Sequence, residues 1–489
     1  AGDAMTTGQR NTAVGQQSFS TNTTGSYNTA LGRSALFSNT TADSNTAVGY
    51  EALYANTTGD QNTAVGIQSM DANTTGRNNV GIGMNALGVN TTGHSNVAVG
   101  LNSLDANTTA NYNTAVGTDA LSANTTGTEN VAVGALAGDA ITTGSYNTAI
   151  GYKAISTATT ATDNTAVGRE ALRDTTSGDD NVAVGKEAAK LNTTGSGNVA
   201  VGNHAFNVNT TGSNNTALGS SALDANTTAS NNVAVGNASL GVNTTGAGNT
   251  AVGMNALDAN TTASSNVAVG HNALTANTTG SGNVAAGVSS FGAITTGSYN
   301  TALGEGTGNA GGTPLTTGTR NICIGGYPIT SAADSTDQIV MGYSVTGSGN
   351  STITVGYGAT DSALTFGGTT WSAPSDVRLK EDIQDEEVGL DFINDLRPVT
   401  FQWKKEKDIP SDMRAHVADS EERVMNGKYN HGFIAQEVKE VIDNHGLKDG
   451  FDMWTEDETD GRQRIGEASL MPLMVKAVQE LSAKVEELE

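Results

Sequence analysis

The stretch Ser375-Asp376-Val377-Arg378-Leu379-Lys380 places a hydroxyl and a primary amine five residues apart. A serine Oγ is a weak nucleophile until a base takes its proton, and a lysine serves as that base when burial or neighbouring cations favour its neutral form. The chemistry open to such a pair is acyl transfer. Spacing alone carries little weight, because serine and lysine fall five apart by chance in most chains and a motif needs its context. The other reactive side chains point elsewhere. Cys323 is the single cysteine, which excludes an intrachain disulfide framework, and it reads as a small buried side chain on an apolar strand. The acidic run Glu456-Asp457-Glu458 with Asp460 lacks the glycine and alternating oxygen ligands of a calcium loop and reads as solvated. Asp60, Glu129 and Asp139 are scattered singly through turn positions, whereas glycoside hydrolysis needs two carboxylates at one groove. Nothing in the sequence calls for a cofactor or a metal.

The Ser375 stretch sits where one kind of sequence stops and another begins. Residues 1–375 carry 21 Asp and Glu against 9 Lys and Arg; the last 114 residues carry 28 against 15. Charge is thus concentrated in the shorter segment, and a domain boundary is expected near residue 375. The net charge of −25, with no basic cluster, argues against nucleic acid as a partner. No run approaches 18 apolar residues, so no membrane insertion is expected, and the first residues have no signal-peptide character.

Before the boundary the chain repeats. A unit resembling N-T-A-V-G-x-x-A-L-x-A-N-T-T-G-x-x starts at Asn11 and recurs every 17 residues to Asn300, eighteen times without an insertion. Such regularity means that each residue stacks on its counterpart in the next coil. Positions three and four, as Ala98-Val99, suit a short strand. Glycines at five and usually fifteen, as Gly49 and Gly59, suit tight corners. The apolar residue at nine, as Leu36, Leu53 and Leu87, recurs as a ladder and is the largest inward candidate. Two short strands and two turns per unit are expected, forming a parallel β-roll or β-helix rod roughly 85 Å long at ~4.8 Å per coil. A helical repeat would need about 33 residues. One bulky residue per coil closes only a thin core, so three chains pooling their ladders about one axis are expected. The recurrent Asn-Thr-Thr matches a glycosylation acceptor in form, but in so regular a repeat it reads as turn caps and hydrogen-bonded ladders. Ala1 falls at about the eighth position of a unit, so more array or an attachment domain is the expectation upstream. At the other end four extra residues around Gly311-Gly312-Thr313-Pro314 delay the next asparagine to Asn321, as expected of capping coils. The stretch from Phe366 to Trp371 reads as a linker.

After the boundary, helix formers and charges appear together. Leu390 to Leu396 predicts a short helix, Pro398 to Trp403 a strand, and Gly432 to Val438 leads into a helix stopping near Gly446. Leu470, Met474, Ala477, Leu481, Lys484 and Leu488 are spaced four, three, four, three, four, a coiled-coil seam with a lysine on it.

Four blocks of this tail, Ser375 to Ile383, Leu396 to Phe401, His431 to Val438 and Leu470 to Leu481, resemble the endosialidase-type intramolecular chaperone domain of phage tail fibres and tailspikes. The N-x-V/A-x-G pattern of the array is similar to the head repeats of trimeric autotransporter adhesins, though their usual repeat is shorter. The first resemblance implies a domain that trimerises the fibre and then cuts itself off before Ser375, with Ser375 as nucleophile, Lys380 as base and Pro374-Ser375 as the scissile bond. His431 then either supports the cleavage site or is an ordinary strand-edge histidine; Asp376 either positions the scissile turn or caps the next element; Arg378 pairs with an acidic neighbour. The expected fold is mainly β, a trimeric rod followed by a small α+β domain. The array occupies 1–310, capping coils and linker 311–374, the chaperone and autoprocessing domain 375–468, and a trimeric coiled-coil helix 469–489. The expected function is a fibre or adhesin shaft, a virion tail fibre contacting a host-surface glycan or protein receptor. The only catalysis expected is autoproteolysis. The alternatives are a bacterial surface trimeric adhesin and a glycan-degrading tailspike.

Overall fold

The computed structural model describes every residue except 310–312, 369, 374, 448–452, 458–460 and 489. The chain divides into two compact units, Ala1–Pro374 and Ser375–Glu489.

The first unit is a β-solenoid. Its strands run from β1 (Thr12–Val14) to β21 (Thr352–Tyr357), each parallel to the next. Successive coils align in register, Thr46 on Thr63, Ala47 on Ala64 and Val48 on Val65. Side chains alternate across a strand, so the alanine at position three points into the coil, where Ala47, Ala64 and Ala98 are fully buried. The glycine at position five turns the chain with φ between +123° and +143° from Gly15 to Gly342, a region closed to other residues. A methyl there would also lie 2.5 Å from the next carbonyl, as at Gly100 against Gly117. At position fifteen closeness is the constraint: a Cβ on Gly59 would sit 2.2 Å from the Gly76 oxygen.

The second strand expected in each unit does not form among the described residues. Positions seven and nine are both left-handed, as Glu51 at φ 56° and Leu53 at φ 53°, and such a backbone cannot extend. A left-handed leucine costs roughly 1–2 kcal/mol. Burying the same side chain contributes roughly 1.5–3 kcal/mol, so the inward leucine holds its own strained turn. Leu36, Leu53, Met70, Leu87, Leu104 and Leu121 are all fully buried within the single chain. Each coil therefore closes over its own core, and the position-nine ladder is not pooled between chains. At two coils a glycine takes position nine: Gly138, with Leu121 and Ile141 against it, and Gly308, against which the Phe291 ring of the preceding coil packs.

Two asparagine ladders run inside the solenoid. At position one, the Asn62 backbone donates to Asn45 Oδ1 (2.9 Å) and its side chain to the Gly76 carbonyl (2.9 Å). At position twelve, Asn73 Nδ2 donates to Asn56 Oδ1 (2.8 Å) and to the Gly76 carbonyl (3.0 Å). These asparagines are fully buried, so the Asn-Thr-Thr triplets are ladder elements and their amides are closed to glycosylation in the folded coil. The position-twelve ladder is interrupted at Ile141, Ala158 and Thr175 and again at Ile294. The last acceptor before each interruption, Asn124 Oδ1 and Asn277 Oδ1, is left without a partner among the described residues.

The regular array ends where β18 (Thr301–Leu303) pairs with β19 (Ile322–Ile324) across the longer unit, whose residues 310–312 lie outside the described ones. The strand β22 (Thr360–Thr365) then folds back antiparallel on β21. Cys323 faces inward between Ala302 and Val340, and burial pushes its thiol up to about 12, which leaves it inert.

The second unit holds α1 (Leu390–Asp395), β23 (Val399–Phe401), β24 (Asn430–Gly432), α2 (Ala435–Asn444), β25 (Trp454–Glu456), β26 (Gln463–Ile465) and α3 (Leu470–Glu486). Phe392, Leu396, Val438, Ile442, Met453, Leu470 and Leu473 form its core. Glu480 on α3 accepts the Leu390 backbone N–H (2.8 Å) and so satisfies the start of α1. The apolar seam of α3 is shifted from the expected one. Leu470 and Ala477 are turned inward, and the exposed heptad stripe is Met471, Met474, Val478, Leu481, Val485 and Leu488. Lys484 is off that stripe.

Candidate functional site

Ser375 and Lys380 are brought together by a single short turn. Asp376 precedes the 3-10 turn Val377–Leu379, and its Oδ1 accepts the Arg378 backbone N–H at 2.8 Å. Leu379 N–H donates to the Asp376 carbonyl (3.0 Å) and Lys380 N–H to the Val377 carbonyl (3.2 Å), closing the turn. The Arg378 guanidinium folds back onto the same carboxylate at 2.9 and 2.6 Å, which holds the Asp376 carboxyl below its ordinary value. Across this loop Lys380 Nζ donates to Ser375 Oγ at 2.7 Å. Both residues are exposed, and so are the three apolar side chains around them, Val377, Leu379 and Ile383, each about two-thirds exposed. Pro374 lies outside the described residues.

His431 lies on β24 opposite Thr400 of β23, with its ring 3.4 Å from Thr400 Oγ1. It borders a cleft of about 550 Å³ lined by Phe401, Trp403, Ile409, Phe433, Ile434 and Ile465, among others. The sequence blocks around residues 396–401 and 431–438 are thus neighbours in space, and Arg397 pairs with Glu437 across them. Neither the cleft nor this pair was legible beforehand; the only hint was the apolar alternation of Phe401 and Trp403. In the acidic run, Asp457 pairs with Arg462 and Arg464, while Glu458 and Asp460 lie outside the described residues. Among the described residues no cluster of His, Cys, Asp and Glu could hold a metal, and no helix is long and apolar enough to cross a membrane.

In the solenoid the unusual charges gather on coils ten to twelve. Glu187 accepts from Lys190 and lies beside Lys186 and Arg169, and Lys190 above all, with Lys186, holds its carboxyl down to about 2. Asp139 is the reverse case. Half-buried with Oδ1 unpartnered among the described residues, it is pushed up to about 6 by desolvation.

No curated protein and no solved structure matches the chain. Residues 375–447, which begin at Ser375 itself, match the family model described as chaperone of endosialidase; the chain thus joins a β-solenoid to a segment similar to that chaperone, the make-up of a tail-fibre or tailspike-like structural protein.

Proposed function

We propose that this chain is the shaft of a trimeric fibre, an extracellular tail fibre that contacts a host surface. Its C-terminal unit registers three chains and then cleaves itself from the rod between Pro374 and Ser375. The observation that carries the cleavage is the 2.7 Å hydrogen bond between Lys380 Nζ and Ser375 Oγ, made inside a turn that Asp376 caps. Lys380 as a free amine takes the Oγ proton while Oγ adds to the Pro374 carbonyl carbon. The C–N bond breaks, the proton passes to the departing Ser375 nitrogen, and an ester joins Pro374 to Ser375 Oγ. Water then hydrolyses the ester, leaving a carboxylate on Pro374 and residues 375–489 as a separate fragment.

A lysine acts as a base only without its proton, a form that loss of water favours. The single chain leaves the pair and its apolar neighbours Val377, Leu379 and Ile383 in solvent. A second chain covering those side chains would dry the pair, which links cleavage to assembly. The unpartnered heptad stripe of α3 supports the same assembly. Register matters because every coil resembles its neighbours, so chains packed side by side can settle one coil out of step unless they are aligned at one end.

The test compares wild type, Ser375→Ala and Lys380→Met on denaturing gels and by native mass. The expected result is a 115-residue fragment with a trimeric remainder from wild type, and an intact trimer from both variants. Equal cleavage in wild type and Ser375→Ala would remove the serine from the mechanism, and monomers throughout would remove the trimer.

A further inference from the structure

The eighteen units and the two irregular coils after them act as an internal alignment, and one face of the solenoid stands out in it. Positions two and four of each unit, the two ends of its strand, point away from the coil's own core. From Thr12 and Val14 to Ile339 and Met341 these forty positions hold only Thr, Val, Ile, Leu, Met or Ala. None of the Lys, Arg, Asp and Glu residues falls there, although positions six, seven and ten accept them freely, as Arg169, Glu170 and Arg173. Yet the face is in water in the single chain: Leu31, Leu218 and Leu303 are 46–55 % exposed, and Val133 is 37 % exposed. An all-parallel sheet is ordinarily covered on both faces, and here one face has only solvent.

Resting on the trimeric reading above, we infer that this outer sheet face is the interchain surface of the rod, covered by the same face of the two other copies. The size fits. Twenty coils at ~4.8 Å make a strip about 95 Å long, and two outward residues per strand make it about 8 Å wide. That is several hundred Å², comparable to one partner's share of a stable interface, about 800 Å². The period decides the occupant. A surface that repeats every coil is matched along its whole length only by another surface of the same repeat, and this chain supplies it. The face also excludes the position-nine ladder from the interface, since those leucines are already buried in their own coils.

The full-length chain carrying Val133→Cys, on this face, is compared with Tyr146→Cys, an exposed site off it, after treatment with a short bis-maleimide. Native Cys323 is buried and unreactive in both. The expected result is cross-linked chains on denaturing gels from Val133→Cys and single chains from Tyr146→Cys, with both trimeric by native mass. Val133→Cys trimers whose introduced thiol stays uncross-linked and takes up a bulky maleimide would overturn this surface while leaving the trimer standing. Monomers by native mass in the untreated wild type would overturn both. A third variant, Val116→Glu with Val133→Glu and Ile150→Glu, is expected to lose the trimer while Tyr146→Glu keeps it; a trimer that survives the triple change counts against the face.

Discussion

Asp376 is the residue on which the candidate site turns, because its carboxylate holds both the Arg378 backbone N–H and the Arg378 guanidinium. Asparagine can make the cap but not the ion pair, and alanine can make neither. Asp376→Ala is therefore expected to slow fragment release at least tenfold, with Asp376→Asn recovering most of the rate, measured by the appearance of the 375–489 fragment over time. A purely structural role elsewhere would shift thermal stability instead and leave this order unmade. Asp139 gives a second prediction, in the solenoid. Its carboxyl is raised to about 6 mainly by desolvation, so the folded state binds a proton more tightly than the unfolded chain. The cost of ionising it is absent below about pH 4 and grows as pH rises toward 6. Asp139→Asn should then raise the melting temperature at pH 7 and leave it unchanged near pH 4. The gain is on the order of 1 kcal/mol, held below the full shift because water reaches this half-buried group.

Among the elements, α3 shows how much a sequence can say and where it stops. Leu470, Met474, Ala477 and Leu481 satisfy a four-three spacing, but so do Met471, Met474, Val478 and Leu481, since the helix is apolar on two faces. Only the packing of Leu470, Leu473 and Ala477 into the domain assigns the faces, and it moves the lysine off the exposed stripe. Val485→Asp is accordingly expected to weaken the trimer at micromolar concentrations by native mass, whereas Lys484→Asp should leave it unchanged; the reverse order would restore the seam through Lys484. The coil was legible for a different reason. A period of 17 and a glycine at position five are written in every unit, and the strand Thr-Ala-Val follows from them. The left-handed turns at seven and nine are not, because Glu51, Gln68 and Leu53 carry no signature of positive φ. Buried asparagine ladders are equally silent, since a polar residue in a repeat reads as surface until its partner in the next coil is known. At the candidate site the serine and the lysine were legible through the blocks around them, while the exposure of Val377, Leu379 and Ile383 required coordinates.

For the solenoid as a whole, stability is a sum over coils and their interfaces with the next, as in other repeat proteins. Removing whole units should therefore be tolerated where removing single residues is not. Deleting residues 198–265, four complete units, rejoins Gly197 to Asn266 and keeps asparagine at position twelve on both sides, Asn192 meeting Asn277. Alignment of positions two to four is kept as well, Val182 meeting Val267. The shortened chain should remain trimeric and lose roughly 19 Å of length at ~4.8 Å per coil, as read by small-angle scattering or negative-stain images. Deleting the single residue Ser213 instead shortens one coil beside its asparagine corner and displaces Asn215 from the Asn198 side chain it pairs with. That variant is expected to lose its cooperative melt or to fold as two separate arrays. Equal tolerance of the two deletions would mean that the coils are held by something other than residue-on-residue stacking.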